Sequence, residues 1–138
     1  MKKILVAVDG SPQSLHAARL ARDLARSTGA RLTLVYSAPL VMLPGELPLK
    51  MAWDVIKADA ERGNQLLAAA ADALAEPGLE AIGLEGPPAE RIAELAEKED
   101  YDMVVVGSRG RNAVARVLLG SVADRMVHIC RRPVLVVR

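Results

Sequence analysis

Aromatic residues are nearly missing from this sequence: there is no phenylalanine, and two tyrosines and one tryptophan serve 138 residues. Proteins that hold single-stranded nucleic acid stack its bases on aromatic faces, so this class of function is disfavoured. Cysteine is almost missing too. Cys130 stands alone, which rules out an intramolecular disulfide and suits a cytoplasmic setting. Net charge is small: 18 basic residues face 17 acidic ones, so no overall field draws in nucleic acid or an anionic membrane. No uncharged run is long enough to span a bilayer. The opening MKKILVAVDG lacks the h-region of a signal peptide, because Asp9 interrupts it early and no small-residue cleavage site follows. Two phosphate motifs are also absent. Without G-x-x-x-x-G-K-[ST] there is no P-loop lysine, and without G-x-G-x-x-G after the first strand there is no dinucleotide fingerprint. A P-loop hydrolase and a nicotinamide dehydrogenase are therefore both disfavoured.

What is present is a hydrophobic content of 51%, enough for a sizeable core, in a length that predicts one domain over 1–138. Strand and helix patterns alternate along it. Ile4 to Val8, Leu32 to Tyr36, Leu79 to Leu84, Met103 to Val106 and Val134 to Val137 read as strands; the first and fourth are the continuous apolar runs of strands buried on both faces. Ser11-Pro12 reads as a helix start and Gly29 as its stop. Ala17, Leu20, Ala21, Leu24, Ala25 and Thr28 form its inner face. A long helix is predicted from Leu49 to Ala75 with Ile56, Ala60, Gly63, Leu67, Ala70, Ala71 and Leu74 on one side and Trp53 as its anchor. A third helix follows Gly86-Pro87-Pro88, with Glu94 placed to pair with Lys98. The last covers Ser121 to Ile129, with Arg131-Arg132 placed to cap its end. This order predicts an α/β fold: an open five-stranded parallel sheet, order 3-2-1-4-5, with helices on both faces (Rossmann-like).

In such a sheet ligands bind outside the carboxyl ends of the strands, where strand order reverses. Here that point falls between the first and fourth strands. The fourth strand runs into VVVGSRGRNAVARVLLGSV, which contains G-x2-G-x9-G-S as Gly107, Gly110, Gly120 and Ser121. Glycines let backbone N–H groups approach a ligand, and a serine at a helix start sits beside free N–H groups. Arg109, Arg111 and Arg116 are the only charged side chains of the segment and would attract polyphosphate. The topology brings Asp9 alongside. It can bond a ribose hydroxyl, hold a metal ion near phosphates, or make only an Asx turn; its residue type does not decide. The loop 37–48, with Leu40, Val41, Met42, Leu43 and Leu47, also emerges at this end. It is expected either to cover an adenine-sized group or to pack on the long helix or a second subunit. His16 and His128 lie far apart in the pattern, so no metal cluster with Cys130 is expected. Met42, Met51, Met103 and Met126 read as gap fillers.

KKILVAVDGS, the EGPP turn, DMVVVGSRGR, LLGSVADRMV and RRPVLVV together resemble the universal stress protein family, in order and over essentially the whole chain. G-x2-G-x9-G-S is similar to the signature of its ATP-binding branch. The resemblance implies the 3-2-1-4-5 sheet and a homodimer paired through the strand at 134–137. It implies a nucleotide-dependent sensor or regulator in stress response that binds ATP, with Mg, while the composition adds a cytoplasmic setting and no nucleic-acid or membrane partner. By position it gives Asp9 the acid near ribose and phosphates, and the possible Mg contact. Ala7 and Val8 line the base pocket, and Val35 is the backbone that recognises adenine. Gly107, Arg109, Gly110, Gly120, Ser121 and Val122 hold ribose and phosphates. No general base is identified, so at most slow hydrolysis or phosphotransfer is expected. AMP, ADP and a cyclic nucleotide stay open as ligands of a dimeric interaction protein.

Overall fold

The computed structural model describes residues 1–40, 42–110 and 119–138. Strands and helices alternate among them as β1 (Lys3–Ala7), α1 (Pro12–Thr28), β2 (Arg31–Ala38), α2 (Leu49–Leu74), β3 (Glu80–Glu85), α3 (Pro88–Lys98), β4 (Met103–Gly107), α4 (Ser121–Ile129) and β5 (Val134–Val137). The strands form one parallel sheet in the order β3-β2-β1-β4-β5, as the alternation predicts.

β1 lies at the centre and divides two cores. Successive side chains of a strand point to opposite faces. Ile4 and Val6 face one layer with Ala17, Ala18 and Ala21 of α1 and with Leu67 and Leu74 of α2. Leu5 and Ala7 face the other with Ile92, Ala93 and Ala96 of α3 and with Ala123 and Met126 of α4. Fully burying one such Leu, Ile or Val contributes about 1.5–3 kcal/mol. The alanines of α1 let that helix approach the sheet closely, whereas Leu20, expected on the inner face, is 44% exposed.

α1 starts and stops where its sequence says. Ser11 Oγ accepts the Ser14 N–H at 3.1 Å, Pro12 occupies the first turn, and Gly29 at φ 73° closes the helix. β2 runs two residues beyond the predicted Tyr36. Ser37 pairs with Leu84 and Ala38 with Glu85, and the Gly86 N–H then donates to the Ala38 carbonyl at 2.8 Å. The connection to α2 is shorter by those two residues.

α2 is too long for the surface beneath it. Its 26 residues span about 39 Å at 1.5 Å each, whereas the six residues of β3 span only about 20 Å. Gly63, Leu67 and Leu74 are buried, but the first half overhangs the sheet. Ile56 is 39% exposed, Ala60 is exposed, and Trp53, expected to anchor the helix, is 61% exposed. Three other expected contacts differ. Glu94 pairs with Arg91 at 2.8 Å instead of Lys98. Arg132 and Arg131 reach Asp100 and Glu97, at the end of α3, rather than capping α4. Met126 fills the core and Met103 packs against it, but Met42 and Met51 stand in solvent.

The starts of β1 and β4 are fastened by one carboxylate. Asp102 accepts the N–H groups of Lys2 and Lys3 at 2.7 and 2.8 Å, and those two bonds hold its carboxyl below the usual range. No helix among the described residues is long and apolar enough to cross a membrane.

Candidate functional site

The site assembles at the carboxyl ends of β1 and β4. Val8 extends the β1 pairing by donating its N–H to the Val35 carbonyl at 2.9 Å, and Asp9 then turns the chain into α1. Asp9 Oδ1 accepts the Ser11 N–H at 2.9 Å, an Asx turn, and the Asp9 N–H donates to Ser14 Oγ at 3.2 Å. The Ser14 hydroxyl donates to the Ser11 carbonyl. Two buried serines thus brace the Asp9 turn, a role that the sequence pattern did not bring out for Ser14. Its signal was the S-x-x-S spacing of a helix cap.

The other carboxylate oxygen faces the glycine loop. A Cβ built on Gly110 would sit 2.8 Å from Asp9 Oδ2, so any side chain there would push this carboxylate from its place. Gly107 and Gly120 are also crowded. A Cβ on Gly107 would lie 3.3 Å from the Gln13 carbonyl of α1, and one on Gly120 would lie 3.1 Å from the Ser108 oxygen. Gly120 has φ −66°, so its conformation alone would admit any residue. The two ends of the segment are joined directly: the Gly120 N–H donates to the Ser108 carbonyl, and the Ser108 N–H donates to Val137 of β5 at 2.7 Å. Ser108 is buried and was not singled out from the sequence.

The two helix starts here differ. α1 is capped by its own Ser11, whereas α4 begins at Gly120 with no side-chain cap. The first N–H groups of α4, with the exposed Ser121 hydroxyl, therefore offer donors and a positive dipole end at the glycine loop. Arg109 and Val122 are half-buried beside it. Arg111, Arg116 and Val41 lie outside the described residues.

The structure brings Asp9, Gly107, Gly110, Gly120 and Ser121 to one end of the sheet, with Ala7 and Val8 leading into it. Val35 lies beside Ala7 on the neighbouring strand β2. It is fully buried between β1 and β3, and its carbonyl is used by Val8. Backbone groups of alternate strand residues share an edge. Ser37 therefore presents its N–H and C=O toward the same side as Val35, past the last β1 pairing at Ala7–Val35.

Two hollows among the described residues lie against α2. One of about 330 Å³ adjoins the Asp9 turn, between Val8, Gly10, Ser11 and residues Leu66, Ala69 and Ala70 of α2. The other, of about 270 Å³, lies away from the glycine loop, between the overhang of α2 and the ends of β2 and β3.

The residue pattern and geometry coincide with one known family. The profile described as Universal stress protein family matches residues 1–138. This chain belongs to that family. Universal stress protein MJ0531 of Methanocaldococcus jannaschii is 37% identical over 142 residues, covering 99% of this chain and 82% of that protein. The structure of universal stress protein UspA from Lactobacillus plantarum superposes with a TM-score of 0.82 at 26% identity, covering 99% of this chain and 97% of that one. A universal stress protein solved in complex with cAMP superposes with a TM-score of 0.75 at 26% identity, with the same coverage. The universal stress protein fold is thus shared along nearly the whole chain.

Proposed function

We propose that this universal stress protein binds an adenine nucleotide, with ATP as its ligand, and acts as a nucleotide-dependent regulator of a stress response inside the cell. The observation that carries this reading is the contact between Gly110 and the Asp9 carboxylate, beside a helix start that no side chain caps. A carboxylate bonds ribose hydroxyls, and the amide groups of Gly110 and of the first turn of α4 suit phosphate oxygens. Ser37 is the better-placed backbone to meet the base edge, since the Val35 carbonyl is held within the sheet. The cAMP complex of a related structure is consistent with an adenine ligand and keeps cyclic nucleotides among the candidates.

Magnesium suits this donor set. No group of three His, Cys, Asp or Glu among the described residues gathers to hold a metal by itself. Mg²⁺ is commonly bound through one or two carboxylates together with substrate phosphates, and Asp9 would be the protein's share. When bound, the ion would neutralise phosphate charge. Asp9 Oδ1 is occupied by the Ser11 N–H, which suits a fixed acceptor better than a general base, so the reading favours holding a nucleotide over turning it over.

Isothermal titration with ATP, AMP and cAMP, with and without Mg²⁺, tests the proposal. ATP is expected to bind the wild type, and Gly110→Val to lose that binding while keeping its circular dichroism. Normal affinity in a folded Gly110→Val protein, or no heat from any of the three nucleotides with the wild type, would overturn it.

A further inference from the structure

The first half of α2 carries an apolar surface that the fold leaves uncovered. Leu49 is 86% exposed, Trp53 61% and Ile56 39%, and the preceding loop adds Leu40 at 68%. Leu49, Trp53, Ile56 and Ala60 recur at intervals of four, three and four. They continue the stripe that Gly63, Leu67 and Leu74 bury farther along. One continuous helical stripe is therefore half used by the protein's own sheet.

Beside it lies the 270 Å³ cleft, formed by Ile56, Ala60 and Gly63 of α2 against Tyr36, Leu40 and Leu84. Its polar members are Asp59, Glu85 and Asn64. Trp53 does not line this cleft but stands one turn away on the same helix. Lys50 and Lys57, at i−3 and i+4, lie on Trp53's side of the helix and are exposed. The surface thus has an indole between two ammonium groups, next to an apolar cleft between two carboxylates.

We propose that this face is an interface between two copies of this chain, with Trp53 of each copy seated in the cleft of the other. The charges are complementary when the face meets itself: Lys50 of one copy approaches Asp59 of its partner, a carboxylate that lies 3.5 Å from Arg62 of its own helix. A two-fold interface requires that residue i meet residue j while j meets i, and knob and cleft on one helix satisfy this. Antiparallel α2 helices would place Trp53 opposite Ile56 and Leu49 opposite Ala60, because each pair is equidistant from the same midpoint. A stable interface takes about 800 Å² from each partner, so Leu40, Leu49, Trp53 and Ile56 would form its centre and the polar side chains around them its rim. A tryptophan filling a pocket is the usual anchor of such a contact. This interface is separate from β5, which lies at the opposite edge of the sheet.

Trp53 is the only tryptophan, so its fluorescence reports this face alone. As protein concentration rises, its emission is expected to shift to the blue and its quenching by acrylamide to fall, in step with self-association by sedimentation velocity. Ile56→Asp should weaken that association roughly thirtyfold, the loss of one hot-spot side chain. Lys50→Glu and Asp59→Lys should each weaken it, and mixing the two variants should restore it, because only the mixed pair places unlike charges opposite. Emission that stays that of an exposed indole at every concentration would overturn the proposal. So would single variants that associate as the wild type does, or a mixture that gains nothing over its components.

Discussion

Glycine marks the site at the level of single residues, and the structure separates two reasons for it. Gly110 clears a carboxylate, whereas Gly120 clears main chain: a Cβ there would meet the Ser108 oxygen at 3.1 Å and the Arg109 Cα at 3.2 Å. A carboxylate can rotate aside, but the backbone of a loop tied to β5 cannot. Gly120→Ala is therefore expected to destabilise the fold by about 1–3 kcal/mol, as overpacking does. Its melting temperature should fall below that of Gly110→Val, the variant that tests binding. Equal melting temperatures for the two would show that the loop yields at both points. Most of this was legible in the sequence, since G-x2-G-x9-G-S and the Asp9 turn follow local rules of turn and cap. That Ser37 has backbone groups beyond the β1 pairing was not legible, because the side on which a strand's backbone groups are used depends on register. Which groups are left over depends in turn on where the neighbouring strand stops, and the β1 pairing ends at Ala7.

At the scale of elements, periodicity revealed which side of α2 is apolar but could not reveal how far the sheet extends beneath it. The stripe from Leu49 to Leu74 is continuous in sequence, and only β3, ending at Glu85, determines that Ile56 and Ala60 emerge from cover. The strand run of β2 was underestimated for a similar reason, since Ser37 and Ala38 are held by β3 and not by their own propensity. A different long-range contact fastens β1 to β4. The Asp102 carboxylate takes two N–H groups across ninety-nine and one hundred residues of chain, which lowers its pKa. A carboxyl whose pKa is lowered on folding adds stability above its unfolded pKa, near 4, and loses it as pH falls through the lower folded value. Asp102→Asn should thus melt below the wild type at pH 7. The gap should narrow as pH falls below about 4. A gap that stays constant from pH 7 to pH 2 would show that the contact contributes by shape and not by charge.

Among the described residues the sheet ends at β3 and β5, and the contact proposed at α2 lies at the opposite edge from β5, the strand through which the family resemblance implies a dimer. At β5 the backbone states which residues are available. Val104 donates to Pro133 and Ser108 donates to Val137, so residues 133, 135 and 137 turn their polar groups toward β4. Val134 and Val136 turn theirs outward, where a second chain could pair with them. Proline lacks an N–H and is tolerated on edge strands, so Val136→Pro removes an outward donor and leaves the ladder to β4 intact. If β5 pairs as the resemblance implies and α2 as proposed, assembly does not stop at a dimer, because each dimer still exposes the other contact. Wild-type protein is therefore expected to form tetramers or larger species as concentration rises. Val136→Pro should stop at a dimer that still shifts the Trp53 emission, and Ile56→Asp at a dimer that does not. The double variant should remain a monomer. Sedimentation velocity on the four proteins, read together with tryptophan emission, decides among these outcomes. A Val136→Pro protein that assembles as the wild type does would remove β5 as a contact. A double variant that still dimerises would require a third surface. The Ser108–Val137 bond links β5 to the glycine loop, so Val136→Pro should also be titrated with ATP, since a dimer that pre-orders this strand would raise nucleotide affinity by the same factor that nucleotide raises dimerisation.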